Sequence, residues 1–252
     1  MPNDARATRR TPKPEAASRE TAPAAPVAVV CDFDGTATVL DIGDEISKHF
    51  GGAAHWQHEA ARFRRGELDT RGIIEAIYTR VFATEAEVRA FAAATARLRP
   101  GFADLVAACR GRGAPFVLAS GGLRQYIDAV LAAHVSPELR AHVQIVANEG
   151  VFSPEGLRVR FPTEEAAREL GCMECGSCKR VAVAQARKSG AAHVIGIGDG
   201  FADRCLARCA DSLWAREGSY LQGWCVENRV AHTAFTTLEG AAREVAAFPK
   251  TS

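Results

Sequence analysis

Two carboxylates follow an apolar run near the start of the chain. Residues 29–36 read V-V-C-D-F-D-G-T, which places Asp32 and Asp34 two positions apart. Side chains two apart on an extended segment point the same way, so both carboxylates can face one reaction centre. The β-branched residues before them and Gly35 after them predict a strand that ends in a sharp turn. We interpret the pair as catalytic.

Three more polar elements follow apolar stretches further along the chain. Residues 115–119 lead into 120–122, S-G-G, where a hydroxyl and accessible backbone amides could hold an anion. Lys179 begins an amphipathic segment. A cation at a helix N-terminus is unfavourable because it opposes the helix dipole, so a nearby anion would explain the lysine. Asp199 and Asp203 form a second acidic pair after another predicted strand. Together with the first pair, they predict a site for a hard cation.

The order D-F-D-G-T, S-G-G, K, G-D-G-x-x-D resembles the haloacid dehalogenase superfamily of phosphohydrolases, over residues 27 to about 235. The resemblance implies a nucleophile, a general acid and base, a phosphate site and a Mg²⁺ site. By position these are Asp32 as nucleophile, Asp34 as acid and base, Thr36, Ser120, Gly121 and Lys179 for phosphate, and Asp32, the main-chain carbonyl of Asp34 and Asp199 for Mg²⁺, supported by Asp203.

The chemistry of phosphate transfer explains why these residue types occur together. A phosphomonoester dianion repels an attacking carboxylate, and Mg²⁺ with Lys179 would neutralise that repulsion. Attack by Asp32 would give an aspartyl-phosphate, dividing one difficult displacement into two easier ones. Asp34 could protonate the leaving alkoxide and later accept a proton from water. An aspartate at position 34 favours a phosphatase or phosphomutase over a transport ATPase of the superfamily.

The composition is that of an ordinary globular protein. The chain has 252 residues, 47% of them hydrophobic, and a formal net charge of +1. This near-neutral charge argues against nucleic acid or a membrane surface as the main partner, and no apolar stretch approaches the roughly 20 residues of a membrane span. We expect a small phosphorylated metabolite as the partner. Eight cysteines without a secretory signal predict reduced thiols and a cytoplasmic location. The oligomeric state stays open.

Strand and helix patterns predict an α/β fold: a three-layer, Rossmann-like, mostly parallel sheet with a small helical cap inserted after the first strand. The strands are predicted at 27–32, 116–120, 143–147, 193–197 and 213–215, with a hairpin at 151–161. The cap helices are predicted at 44–50, 54–65, 69–82 and 84–98. The resulting organisation is a disordered, proline-rich tail at 1–26, a core of 27–42 and 99–252, and a cap at 43–98.

The cysteines refine the resemblance. Residues 171–179, G-C-M-E-C-G-S-C-K, and residues 211–216, D-S-L-W-A-R, resemble the methionine-salvage branch, the 2-hydroxy-3-keto-5-methylthiopentenyl-1-phosphate phosphatases. Cys172, Cys175 and Cys178 also have a metal-like spacing, but tetrahedral Zn²⁺ needs a fourth ligand that is not evident nearby. Both interpretations stay open. The other cysteines are predicted to be small packing residues: Cys31, Cys109, Cys205, Cys209 and Cys225.

Other functions remain compatible with the motifs. A phosphoserine phosphatase-like enzyme would usually have Asn where Ala202 stands. A phosphotransferase or phosphomutase would use the same groups with an acceptor hydroxyl in place of water. A phosphate-binding sensor or scaffold is the non-enzyme alternative, but degenerate members should lack the nucleophile or the acid, and this chain retains both. Catalysis is therefore the favoured interpretation.

Overall fold

The architecture is a single seven-stranded sheet between helical layers. The computed structural model describes residues 27–172 and 179–249. The strand order is β4-β3-β2-β1-β5-β6-β7, and every neighbouring pair is parallel except β3 and β4. The strands are β1 Val27–Cys31, β2 Phe116–Leu123, β3 Val143–Ser153, β4 Gly156–Arg160, β5 His193–Gly198, β6 Ser212–Arg216 and β7 Thr233–Phe235.

The central strand β1 is buried along its whole length, because both faces of the sheet are covered. Val29 and Cys31 pack into one core cluster, whereas Ala28 and Val30 pack into the other. The first cluster includes residues from α5 (Phe102–Arg112), α6 (Arg124–His134) and α12 (Glu239–Ala247), and the second from α9 (Lys179–Lys188), α10 (Arg204–Cys209) and α11 (Tyr220–Glu227). The predicted three-layer α/β fold is confirmed.

Four α-helices lie between β1 and α5, as predicted for the cap: α1 Ile42–Ile46, α2 Ala53–Arg64, α3 Thr70–Tyr78 and α4 Glu85–Thr95. A π-helical segment, Ser47–Gly52, continues from α1 to α2. The side chain of Asp69 caps α3, and Thr84 forms a capping box with Glu87 at the start of α4. The predicted ends of the third helix at residue 82 and of the fourth helix at residue 98 are wrong. The chain leaves α3 at Thr79, whose hydroxyl donates to the Ala76 carbonyl at 2.9 Å. The domain boundaries at 43 and 98 stay a prediction.

The edges of the sheet differ most from the sequence prediction. Strand β3 runs on from its parallel pairing with β2 into an antiparallel pairing with β4, so the predicted strand at 143–147 and the first arm of the predicted hairpin are one continuous strand. Strand β7 was not predicted because three residues are too few to show a period of two. Two small helices complete the fold, α7 Pro137–Arg140 and α8 Glu164–Glu169.

Some predictions concern residues outside the described ranges. They are the tail at 1–26 and the cysteine-rich segment at 173–178, which contains Cys175 and Cys178. Of the packing cysteines, Cys31, Cys109 and Cys225 are buried as predicted, while Cys205 and Cys209 are only partly buried. Among the described helices, we find none that combines the length and apolar character of a membrane span.

Candidate active site

The predicted polar residues meet at the carboxyl ends of the central strands. Asp32 follows β1, Ser120 lies in β2 and Asp199 follows β5, so neighbouring parallel strands deliver them to one edge of the sheet. They line a cavity of about 330 Å³. All of the predicted site residues except Thr36 line this cavity. The convergence that the sequence motifs suggested is therefore present in the tertiary structure.

A buried ammonium lies between two carboxylates in this cavity. Lys179, the first residue of α9, donates to Oδ1 of Asp32 at 2.7 Å and to Oδ1 of Asp203. Burial lowers the pKa of Lys179, but Asp203 and Asp32 raise it by more, so the pKa lies above its usual value. The lysine is therefore charged and keeps the Asp32 carboxylate in a defined orientation.

Asp34 has a different environment from Asp32. Its Oδ2 accepts hydrogen bonds from the Tyr126 hydroxyl at 2.6 Å and from the Ser120 hydroxyl at 3.2 Å, and its Oδ1 accepts one from the Ile42 amide at 2.9 Å. Burial raises the pKa of Asp34 to about 6, although these hydrogen bonds lower it. Asp34 is thus protonated over a wider pH range than an exposed aspartate.

Asp199 rests on the turn that follows Asp34. Its Oδ1 accepts a hydrogen bond from the Thr36 hydroxyl at 2.7 Å, and its Oδ2 accepts one from Arg216 at 3.1 Å. A Cβ at Gly35, where φ is 73°, would lie 2.7 Å from the Asp199 carboxylate, so only glycine allows this approach. Thr36 thus contacts Asp199 and is fully buried. Its role in binding phosphate stays a prediction.

Asp203 organises the second acidic loop. Its Oδ2 accepts hydrogen bonds from the backbone amides of Asp199 at 2.9 Å and Gly200 at 2.7 Å, while its Oδ1 accepts from Lys179. A Cβ at Gly198 would come within 2.3 Å of the Asp203 side chain, which explains the glycine at the end of β5. Both Asp203 oxygens therefore have protein partners, an arrangement suited to supporting the loop.

The donor set of this cluster fits a divalent cation. Asp32, Asp199 and Asp203 each offer a carboxylate oxygen, and these oxygens lie within 4.8 Å of one another. Burial raises the pKa of Asp32 and of Asp199 above the usual value, because grouped carboxylates in a buried site are costly to ionise. Lys179 and Arg216 offset part of that cost. Mg²⁺ prefers such oxygen ligands, so the chemistry of the site matches this ion.

The opposite wall of the cavity is apolar and comes from the inserted helices. Trp56 and Phe63 of α2 line it with three residues of α3, namely Ile73, Ile74 and Ile77. Among the described residues that line the cavity, Lys179 is the one cation. We did not predict this wall from the sequence, because apolar helix residues more often pack in the core. The 3.6-residue spacing of Ile73, Ile74 and Ile77 was the available signal.

The sequence model of the haloacid dehalogenase-like hydrolase family matches residues 29–208. This span runs from β1 to α10 and includes every predicted site residue. The chain belongs to this family. The resemblance predicted from the four motifs is thereby confirmed.

Curated relatives within the haloacid dehalogenase-like hydrolases carry a specific name. A 2-hydroxy-3-keto-5-methylthiopentenyl-1-phosphate phosphatase of Exiguobacterium sibiricum is 30% identical over 84% of this chain and 92% of its own length. A protein of the same name from Geobacillus thermodenitrificans is 30% identical over 82% of this chain and 90% of its own. The predicted similarity to the methionine-salvage branch is confirmed at the level of sequence.

Solved structures support the same fold. A phosphoserine phosphatase trapped as an analogue of the phospho-aspartyl intermediate superposes with a TM-score of 0.63, covering 87% of this chain and 98% of that one at 14% identity. A phosphoserine phosphohydrolase-like protein from Francisella tularensis superposes with a TM-score of 0.63, covering 86% of this chain and 98% of that one at 18% identity. At these identities, the likeness establishes the architecture alone.

Proposed function

We propose that this chain is a phosphomonoester hydrolase that transfers a phosphoryl group first to Asp32 and then to water. The observation that carries the proposal is the cavity at the strand ends that holds Asp32, Asp34, Ser120 and Lys179 together. A carboxylate nucleophile, a second carboxyl with a raised pKa, a hydroxyl and a cation are the groups that this chemistry requires. The family membership and the names of the relatives agree with it.

In the first step, Asp32 attacks phosphorus and Asp34 protonates the leaving oxygen. Lys179 holds one Asp32 oxygen at 2.7 Å, which orients the carboxylate, and also offsets the negative charge of the phosphoryl group. Ser120 and the backbone amide of Gly121 bind the phosphoryl oxygens. In the second step, Asp34 accepts a proton from the water that attacks the aspartyl-phosphate. Tyr126 and Ser120 keep the Asp34 carboxyl in place for both transfers.

The metal is Mg²⁺ in this proposal, held by Asp32, Asp199 and the main-chain carbonyl of Asp34, with Asp203 supporting the loop. When bound, Mg²⁺ neutralises charge on the phosphoryl oxygens. The clustering of carboxylate oxygens from Asp32, Asp199 and Asp203 within 4.8 Å supports this assignment.

The metal assignment predicts that the purified protein hydrolyses 4-nitrophenyl phosphate only with a divalent cation. Exhaustive EDTA treatment should lower the rate at least about 100-fold, because the clustered carboxylates of Asp32, Asp199 and Asp203 would then repel the dianion. Added Mg²⁺ should restore the rate, and added Ca²⁺, which prefers more ligands at longer distances, serves as the control. Full activity after removal of all divalent cations would contradict the metal site.

The substrate in this proposal is 2-hydroxy-3-keto-5-methylthiopentenyl-1-phosphate. The apolar wall formed by Trp56, Phe63 and the isoleucines of α3 suits a methylthio tail. Phosphoserine carries a carboxylate as well as its phosphate, and the described lining offers that carboxylate no second cation. The names of the curated relatives point the same way. We further propose that residues 43–98 act as a cap, which excludes water and selects this small substrate.

The substrate assignment predicts a preference that steady-state kinetics can measure. The enol phosphate should exceed phosphoserine at least about tenfold in kcat/KM, a difference that needs about 1.4 kcal/mol of apolar contact. Both substrates present the same phosphoryl group, so the comparison isolates the leaving group. If phosphoserine or a phosphorylated amino alcohol is the better substrate, the salvage assignment is wrong, while the chemistry at Asp32 is unaffected.

Two alternatives for the same site are distinguished by the inorganic phosphate that is released. A phosphotransferase or phosphomutase would move the phosphoryl group to an acceptor hydroxyl. The amount of inorganic phosphate released would then be smaller than the amount of substrate consumed. A sensor would bind phosphate without turnover.

The cytoplasmic location expected from the sequence stays a prediction.

A further inference from the structure

Arg99 binds the turn that carries the predicted catalytic residues. It lies where the chain returns from the inserted helices to the core, just before α5. Its Nε donates to the carbonyl oxygen of Thr36 at 2.7 Å, and one Nη donates to the carbonyls of Gly35 at 2.6 Å and Thr38 at 3.2 Å. The planar guanidinium holds its N–H donors on three nitrogens in a fixed fork, whereas a lysine ammonium donates all of its protons from a single nitrogen.

The same residue joins this turn to two other segments. The Arg99 backbone amide donates to the Ala37 carbonyl at 2.8 Å, and its second Nη donates to the Thr236 carbonyl at 3.2 Å, just beyond β7. The two chain segments that lead into and out of the inserted helices pair directly, through an antiparallel bridge between Thr38 and Leu98. The Arg99 side chain therefore joins the turn after β1 to the segment beyond β7, and its backbone amide joins the same turn to the base of the inserted helices.

Asp199 lies against the other side of the turn. The Thr36 hydroxyl donates to Asp199 Oδ1 at 2.7 Å, and Gly35 lies so close that a Cβ there would collide with the carboxylate. Thr36 thus has its carbonyl bound by Arg99 and its hydroxyl bound to Asp199. Any shift of the turn would move the hydroxyl that orients the carboxylate.

We propose that Arg99 is a positioning residue for the metal ligand Asp199, acting through the turn at Gly35 and Thr36. The proposal rests on the metal site described under Proposed function. Arg99 is not one of the residues that line the cavity. Its contribution is to fix the backbone from which Thr36 reaches Asp199. A partner of this kind typically changes metal affinity about 10- to 100-fold when it is removed.

Charge and geometry predict opposite effects of removing Arg99 on the affinity for Mg²⁺. Arg99 is a cation near a cation site, so by Coulomb's law its removal should favour Mg²⁺ binding. Loss of the ordered turn should instead weaken binding. The sign of the change in Mg²⁺ affinity therefore separates positioning from simple electrostatics.

The experiment is calorimetric titration of the metal-free protein with Mg²⁺ alone. Arg99→Met should raise the Kd for Mg²⁺ at least about tenfold relative to the parent protein. Arg99→Lys keeps the charge but loses the planar fork, so it should also raise the Kd. Arg97→Met, an exposed arginine two positions earlier, is the matched control and should leave the Kd within about twofold of the parent value.

Circular dichroism and melting temperature establish that each variant is folded. If Arg99→Met fails to fold, the Kd of Arg99→Lys decides the question. A Kd that is unchanged or lower in the Arg99 variants, or raised equally by Arg97→Met, would overturn the proposal. Absence of Mg²⁺ binding by the parent protein would contradict the metal site itself, so the two failures are distinguishable.

Discussion

Replacing Asp32 by Asn should abolish turnover, with a loss of about 10⁴-fold or more in kcat for any phosphomonoester. An amide oxygen is a poor nucleophile, and Asp203, the other carboxylate that Lys179 binds in the cavity, has protein donors on both of its oxygens. The measurement is phosphate release under saturating substrate and Mg²⁺. Asp104→Asn, an exposed aspartate on α5, is the matched control and should retain the parent rate.

The aspartyl-phosphate itself can also be sought. Acid-quenched parent protein, sampled during turnover, should carry the mass of one phosphoryl group on the peptide that contains Asp32, and Asp32→Asn should carry none. Because this substitution would leave Lys179 with Asp203 as its one carboxylate partner, the melting temperature of the variant should be measured. A folded Asp32→Asn variant that turns over within tenfold of the parent would exclude Asp32 as the nucleophile.

Replacing Asp34 by Asn should lower kcat on an alkyl phosphate by about 10² to 10⁴-fold, because proton transfer to the leaving oxygen is lost. The amide keeps the shape of the side chain and can still contact Tyr126 and Ser120, whose hydroxyls lie 2.6 and 3.2 Å from Asp34 Oδ2. The substitution should therefore lower the catalytic rate more than the stability of the folded protein. Steady-state assays of an alkyl phosphate measure it directly.

An aryl phosphate makes the test of Asp34 more specific. Nitrophenolate leaves without a proton, so Asp34→Asn should still form the aspartyl-phosphate but hydrolyse it slowly, because no base activates water. Rapid mixing should show a burst of nitrophenolate close to one per active site, followed by a slow phase. Asp32→Asn should show no burst. Equal rates of the parent and Asp34→Asn on the alkyl phosphate would exclude Asp34 as the acid.

The sequence was sufficient where the signal is local. Apolar runs followed by polar residues predicted β1 and β5 to within one residue of their ends, and parallel strands bring such ends to one edge of a sheet. Strand β2, predicted to end at Ser120, continues to Leu123. The helical segment at 179–188 was predicted from its amphipathic pattern, and the structure has it as α9. Residue type and order then indicated a family, because a nucleophile, a general acid, a cation that binds phosphate and a set of metal ligands must occur together for phosphoryl transfer.

The tertiary structure decided which partner each polar group has. Tyr126 binds Asp34 across 92 positions of sequence, and Arg99 binds Thr36 across 63. No period of 2 or 3.6 residues encodes such contacts, because they arise when separate elements pack. The hydrogen bond from the Thr36 hydroxyl to Asp199 arises in the same way.

The apolar wall and the edge of the sheet also depend on packing. Ile73, Ile74 and Ile77 have the spacing of any buried helix face, and only the placement of α3 above the strand ends turns that face toward the cavity. Strand β7 forms because β6 offers it a parallel edge, although its three residues carry no pattern of their own. Local sequence thus determined the chemistry of the site, whereas long-range packing decided the orientation of its groups and the shape of the space around them.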